Sequence, residues 1–311
     1  TFREAQRWLE LVRQAPTALA IEEQAACATL RGLLGVMSLD LRGAKEAADE
    51  GITLARGLPG HDAGVWRALA HMVRGFMLGS AGSAPRADAG IAPQARRHGE
   101  LALAAVRDAG LPEVWTAFMQ CFRAKIGLQL GDLEAALGEY VATVPPGREA
   151  AVADFGYSVP DALAGVASTA YLLGRHAQAL DAALRFLALP RPMWVHFGWM
   201  NYLAAEIVPA LVAGGREDLA RQQLRMSAHA MQRSGVPLVP NEFVLIAAVV
   251  EHLHGRPARA ACLLGAARTL GGATDFSMPF RPPACLALSQ HTLQRVRAAL
   301  APQEAGRARD A

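Results

Sequence analysis

A glycine turn set between two amphipathic segments recurs along this chain, and it limits the fold more than any other feature. At Gln129-Leu130-Gly131-Asp132-Leu133-Glu134-Ala135-Ala136-Leu137 an apolar-periodic segment stops at a glycine, and a second segment opens at once with alanines. Gly131 is free to take positive φ as a helix C-cap, and Asp132 is placed to cap the helix that follows. The same punctuation stands at Leu173-Gly174-Arg175, Gly214-Gly215-Arg216 and His254-Gly255-Arg256. The four glycines are spaced by 43, 41 and 40 residues. Such regularity predicts an array of helical hairpins, each burying its apolar faces against its neighbours.

Composition agrees. Of 311 residues, 52% are hydrophobic, 19% charged and only 6% aromatic. Ala, Leu, Arg and Glu outnumber the β-branched residues, which is the make-up of packed helices. The 31 basic and 28 acidic residues are spread along the chain and leave a formal charge of +3, so no basic face for nucleic acid is predicted. Cys27, Cys121, Cys262 and Cys285 lie far apart with no Cys-x-x-Cys pair, and read as small buried hydrophobes in a reducing compartment. The longest apolar run, Phe243 to Val250, is far shorter than the roughly 20 residues of a membrane span. With no signal peptide before Thr1, a cytoplasmic location is expected, and the missing initiator Met suggests a piece of something longer.

In chain order, residues 2–14 form a helix ended by Pro16, and helices over 18–40 and 43 to about 58 form a pair closed by Pro59-Gly60. The next pair spans 62–78 and 93–109. Its connection, about 79–92, is small and polar and is expected to be a flexible insertion. Helices at 113–130 and 133–143 surround Gly131 before the stop at Pro145-Pro146-Gly147. Pro160 predicts a break, with a helix from Asp161 to 173 paired to 176–188. Pairs 193–213 (kinked at Pro209) with 216–234, and 240–254 with 257–270, precede a last helix at 284–300 and a frayed tail at 302–311.

A repeat near 40 lies between the about 34 residues of tetratricopeptide repeats and the longer HEAT units. The small residues just past the turns, Ala135-Ala136 and Ala177-x-Ala179, favour the former by letting two helices approach closely. The predicted fold is all-α: a right-handed tetratricopeptide-like helical-hairpin superhelix (α-solenoid) of about six to seven repeats over residues 1–301, its concave face lined by the first helix of each pair.

Two stretches resemble a particular family. Gly255-Arg256-Pro257-Ala258-Arg259-Ala260-Ala261-Cys262-Leu263-Leu264-Gly265-Ala266-Ala267 is similar to the last-repeat signature of the tetratricopeptide-like region of large bacterial ATP-binding (STAND-type) transcriptional regulators of the LuxR and SARP types, with Arg256 in place of an acidic residue. Phe2-Arg3-Glu4-Ala5-Gln6-Arg7-Trp8-Leu9-Glu10 resembles the start of the same region. The resemblance implies a sensor or scaffold arm that binds an inducer or partner and relays occupancy to an ATPase and a DNA-binding part. The chain has no phosphate loop, its two lysines, Lys45 and Lys125, stand outside any such setting, and no helix-turn-helix follows residue 300. The nucleotide and DNA chemistry is therefore expected outside these residues.

Candidate binding residues follow from which helices should face inward. Trp194, His196, Phe197, Trp199 and Tyr202 concentrate rings on a first helix and form either an aromatic floor for an apolar ligand or inter-repeat core. Trp66, Arg67, His71, Arg74, Trp115, Phe118, Gln120 and Arg123 occupy first helices of earlier repeats, either extending that surface toward an anionic group or forming solvated faces. Tyr157, Glu206, Asn241 and Glu251 are weaker candidates of the same kind. His252 and His254 point about 200° apart on a helix and cannot share one metal ion. No nucleophile and base pattern and no His-Glu-x-x-His is present, so neither catalysis, a cofactor nor a metal is predicted. The partner expected is a small-molecule inducer or a protein or peptide, with a pure protein-protein scaffold as the alternative.

Overall fold

Helix ends in this chain are written in backbone conformation that only glycine adopts without strain. In a computed structural model of the protein, Gly131, Gly174, Gly215 and Gly255 have φ of 85°, 72°, 70° and 67°. At each, the next residue donates its N–H back across the turn: Asp132 to Gly127, Arg175 to Ala170, Arg216 to Leu211 and Arg256 to Glu251, at 2.8 to 3.1 Å. This is the six-to-one bond of a Schellman motif, which satisfies a carbonyl that the helix end would otherwise leave bare. The structure describes residues 2–13, 19–38, 40–82, 89–144, 158–189, 198–234, 240–273 and 283–310.

Among these residues there are fourteen helices and no strand: α1 (Phe2–Arg13), α2 (Ile21–Ser38), α3 (Leu41–Ala55), α4 (His61–Gly82), α5 (Ile91–Asp108), α6 (Glu113–Leu130), α7 (Leu133–Thr143), α8 (Ser158–Leu172), α9 (His176–Ala188), α10 (Gly198–Ala213), α11 (Glu217–Ser234), α12 (Pro240–Leu253), α13 (Pro257–Ala273) and α14 (Pro283–Asp310). The chain divides into two compact units, Thr1–Gly165 and Val166–Ala311. In the first, α2 packs on α3, α4 on α5 and α6 on α7, as the hairpin pattern requires. The first helices α2, α4 and α6 also lie side by side, and each second helix leans on the next first helix, α3 on α4 and α5 on α6. In the second unit α10 pairs with α11 and α12 with α13, and α14 packs across α12 and α13. The fold is all-α, a tetratricopeptide-like array of helical hairpins.

Cores form where three helices meet. Leu78, Ala95 and Ile126 join α4, α5 and α6, while Ala248, Ala260, Leu264 and Val296 join α12, α13 and α14. Small residues set how closely the helices approach. A Cβ on Gly35 would come within 3.0 Å of Ala44 across the α2–α3 crossing, a spacing that larger residues would not allow.

Several local details depart from the sequence pattern. Helix α8 starts at Ser158 and includes Pro160 in its first turn, where the missing N–H has no helical partner to lose. Helix α10, by contrast, includes Pro209 and ends at Ala213 as the sequence pattern has it. Helix α4 continues to Gly82 and α5 begins at Ile91; residues 83–88 lie outside the described ones. Helix α14 extends through 302–310, past Leu300, on a run of helix formers (Gln303, Glu304, Ala305, Arg307, Ala308, Arg309). Asp132 occupies the N-cap position of α7 but makes no capping bond; its carboxylate is taken by Arg96 of α5, which donates Nε at 2.7 Å and Nη2 at 3.0 Å. A two-pronged guanidinium bond outcompetes a single backbone N–H for the same oxygens. The cysteines divide: Cys121 is buried, Cys27 half-buried and Cys262 exposed, the last because Ala260 and Leu264 hold the core positions of α13 and Cys262 points away from both. No described helix is long and apolar enough to cross a membrane.

Candidate functional site

Arg67, His71 and Arg74 stand at i, i+4 and i+7 of α4 and share one face, which is turned to α3 and α5. Arg74 Nε donates to Asp49 Oδ1 of α3 at 2.7 Å, and Lys45 Nζ donates to Asp49 Oδ2 at 3.3 Å. Arg67 Nη2 donates to the Leu58 carbonyl, just beyond α3, at 3.3 Å. His71 meets His98 of α5 with their Nδ1 atoms 3.0 Å apart and ring centroids at 5.1 Å. At that distance one Nδ1 donates and the other accepts, so the pair holds a single proton between the two rings. Burial lowers the pKa of His71 to about 4, helped by His98, Arg67 and Arg56. His98 is lowered by burial, Arg74 and Arg97, with Asp49 opposing. Both imidazoles are therefore neutral at physiological pH.

The contact between the first helices α4 and α6 is aromatic instead. Phe76 of α4, 2% exposed, meets Phe122 of α6 edge-on at 6.2 Å between centroids. Along α6 the edge contacts continue from Phe122 to Phe118 at 5.0 Å and from Phe118 to Trp115 at 6.1 Å. Edge-to-face geometry sets the positive rim of one ring against the negative face of the next. Trp115, Phe118 and Phe122 are each half-buried. About two helical turns beyond Phe122, Gln129 of α6 donates to Ser80 Oγ of α4 at 3.1 Å. Arg123, although on α6, faces the other way and donates Nε to Glu139 of α7 at 3.0 Å.

The structure thus separates the sequence candidates in the first unit. Trp115 joins the aromatic row with Phe118, whereas Arg67, Arg74 and Arg123 are engaged by α3, the segment after it, and α7. Trp66 is half-buried, and its carbonyl accepts a 3.5 Å bond from Thr29 Oγ1 of α2. Tyr157, Trp194, His196 and Phe197 lie outside the described residues. Trp199 and Tyr202 fall in α10 and Asn241 in α12, where the helix alone is described. Glu206 is 1% exposed inside the second unit, and Glu251 is paired with Arg256 and Arg259. His254 Nδ1 lies 2.6 Å from the Val250 carbonyl, and among the described residues no group of three or more His, Cys, Asp or Glu could hold a metal ion.

One feature of the first unit escapes the sequence pattern. Lys125 Nζ donates to Asp161 Oδ1 at 2.9 Å, with side-chain exposures of 3% and 4%. Beside them Cys121 Sγ donates to the Ser158 carbonyl at 3.4 Å; burial, with the Asp161 charge nearby, holds its thiol well above the ordinary range and keeps it protonated. The available signal was the rarity of lysine, since Lys125 is one of two in the chain and sits mid-helix among apolar residues.

No protein-family model matches the chain, and no curated protein is similar to it in sequence. Among solved structures, it is similar to the apo form of RapI (TM-score 0.41, 10% identity, 89% of this chain and 86% of that one). It is also similar to a Rap protein complexed with competence and sporulation factor, with TM-score 0.60 and 13% identity over 88% of this chain and 68% of that one. At such low identity this second likeness shows the fold: a tetratricopeptide-like array of helical hairpins.

Proposed function

We propose that the chain is a regulatory module that acts by binding a protein or peptide segment on the first-helix surface of its first unit. The row Trp115, Phe118 and Phe122 carries this reading. Three half-buried rings are held rigid by edge contacts and backed by buried Phe76. Fixed aromatic area of this kind anchors partners with little entropy lost on binding. Of the cations of α4 and α6, Arg74 pairs with Asp49, Arg123 with Glu139 and Lys125 with Asp161, while Arg67 donates to the Leu58 carbonyl, away from the row. The surface therefore offers apolar area beside an amide and a hydroxyl, and it suits a segment presenting apolar side chains. A similar fold occurs in a Rap protein complexed with competence and sporulation factor, which supports a binding role.

In its fuller form the proposal places the module in a cytoplasmic bacterial transcriptional regulator of the LuxR or SARP type. Occupancy of the surface is relayed to an ATPase and a DNA-binding part outside this chain, with α1 as the relay. The support is the likeness of residues 255–267 and 2–10 to that family. The module acts by population shift, the partner favouring one arrangement of the hairpins, and performs no catalysis of its own.

The test is selection of a random peptide library on the protein, followed by titration of the enriched peptides against wild type and Phe118→Ala. Enriched peptides should carry aromatic or large aliphatic residues and lose about tenfold or more in affinity for Phe118→Ala, as an anchor residue does. Circular dichroism checks that the variant stays folded. Selection of no sequence, or equal affinity for the variant, would sink the reading.

A further inference from the structure

Positive charge in the first unit is concentrated and left uncompensated around the His71–His98 pair. From α3 come Asp49 and Lys45, and Arg56 as its C-cap residue; from α4 come Arg67 and Arg74; from α5 comes Arg97 beside His98. Asp49 is the carboxylate that acts on the pair, and it is already shared between Arg74 and Lys45. Among the described residues Arg56, Arg67 and Arg97 form no ion pair, and Arg67 Nε is buried with no acceptor. The rings bond each other through Nδ1, and neither Nε2 is bonded within the described residues. Helix α6 packs against both α4 and α5, but its arginine, Arg123, is spent on Glu139.

A cluster of this kind costs repulsion in the folded state unless something anionic balances it. A single carboxylate would leave most of the charge unbalanced. A dianion with several acceptor oxygens matches forked guanidinium donors and an imidazole N–H together. We infer that the face of the α4–α5 hairpin turned to the end of α3, centred on His71 and His98 and rimmed by Arg56, Arg67, Arg74 and Arg97, binds a dianionic oxyanion of the phosphate class. The site is separate from the aromatic row, which lies on α6 and meets α4 through Phe76. Its occupant compensates the arginines and accepts a hydrogen bond from a ring Nε2, so it favours the protonated pair. Proton uptake and anion binding are therefore linked, each strengthening the other.

Titration of the whole chain followed by calorimetry and by histidine ring NMR tests this. Inorganic phosphate and O-phosphoserine serve as probes for a free anion and a phosphomonoester, the tighter of the two naming the source. Either should displace the His71 and His98 resonances and raise their apparent pKa. Sulfate, whose charge is constant over this range, should bind several-fold more tightly at about pH 5.5 than at about pH 7.5. Arg56→Gln and Arg97→Gln alter exposed side chains that form no ion pair among the described residues, and each should weaken binding by about three- to tenfold. If sodium chloride at equal ionic strength moves the resonances as far as phosphate does, or if both variants bind as wild type does, the inference is overturned.

Discussion

Gly165 shows how little space one residue can be allowed. A Cβ placed there would clash with the ring of Tyr140, which is fully buried. Gly165→Ala is expected to cost about 1–3 kcal/mol, as overpacking does in a closed core. Urea denaturation measures it, and Tyr140→Leu in the same chain should recover part of the loss because the two positions share one space. The Arg96–Asp132 fork is a contrasting case. Its side chains are 45% and 38% exposed, so Asp132→Asn should change stability by no more than about 1 kcal/mol despite the short bonds.

At the scale of paired helices, buried ionisable groups decide how the hairpins respond to pH and substitution. The fold holds His71 at about 4, against an ordinary 6.5, so below the ordinary value the unfolded chain binds more protons than the folded one. Stability is therefore complete above about pH 6.5 and is lost as the pH falls toward 4. Allowing for the part of the ring that water reaches, the expected loss is about 1–2 kcal/mol. A thermal midpoint that stays level from neutral pH to pH 4 would contradict it. The Lys125–Asp161 pair, joining α6 to α8, behaves differently. Lys125→Met strands a carboxylate that is 4% exposed, at an expected cost of about 3–5 kcal/mol. Lys125→Met with Asp161→Leu should restore most of it, because the buried pair's desolvation cost nearly cancels its attraction. Chemical denaturation of the three proteins separates these outcomes.

Over the whole molecule, hairpins that bury their faces only against neighbours give local rather than global cooperativity. Lys125→Met should accelerate amide exchange in α4 to α7 well before it does so in α10 to α13, which hydrogen-exchange mass spectrometry reads helix by helix. Equal acceleration everywhere would mean that the two units unfold as one. The fold likeness to a Rap protein at 13% identity is understandable on the same basis. A hairpin array asks for apolar periodicity, small residues at crossings and glycine at turns, and many sequences meet those requirements.

The sequence by itself determined most of the helices, the pairing of α2 with α3, α4 with α5, α6 with α7, α10 with α11 and α12 with α13, and the four glycine turns, because these depend on periodicity and backbone preference within a few residues of each turn. It also marked Trp115 and Phe118, which α6 places in one aromatic row. It did not reveal that Arg67, Arg74 and Arg123 face second helices, that His71 finds His98 across 27 residues, or that Lys125 finds Asp161 across 36. Nor did it show that Asp132 serves Arg96 instead of its own helix. Those partnerships belong to the tertiary structure alone. Which side of a nearly all-buried helix meets which neighbour is set by how whole helices pack, and residues distant in sequence leave no local trace of it.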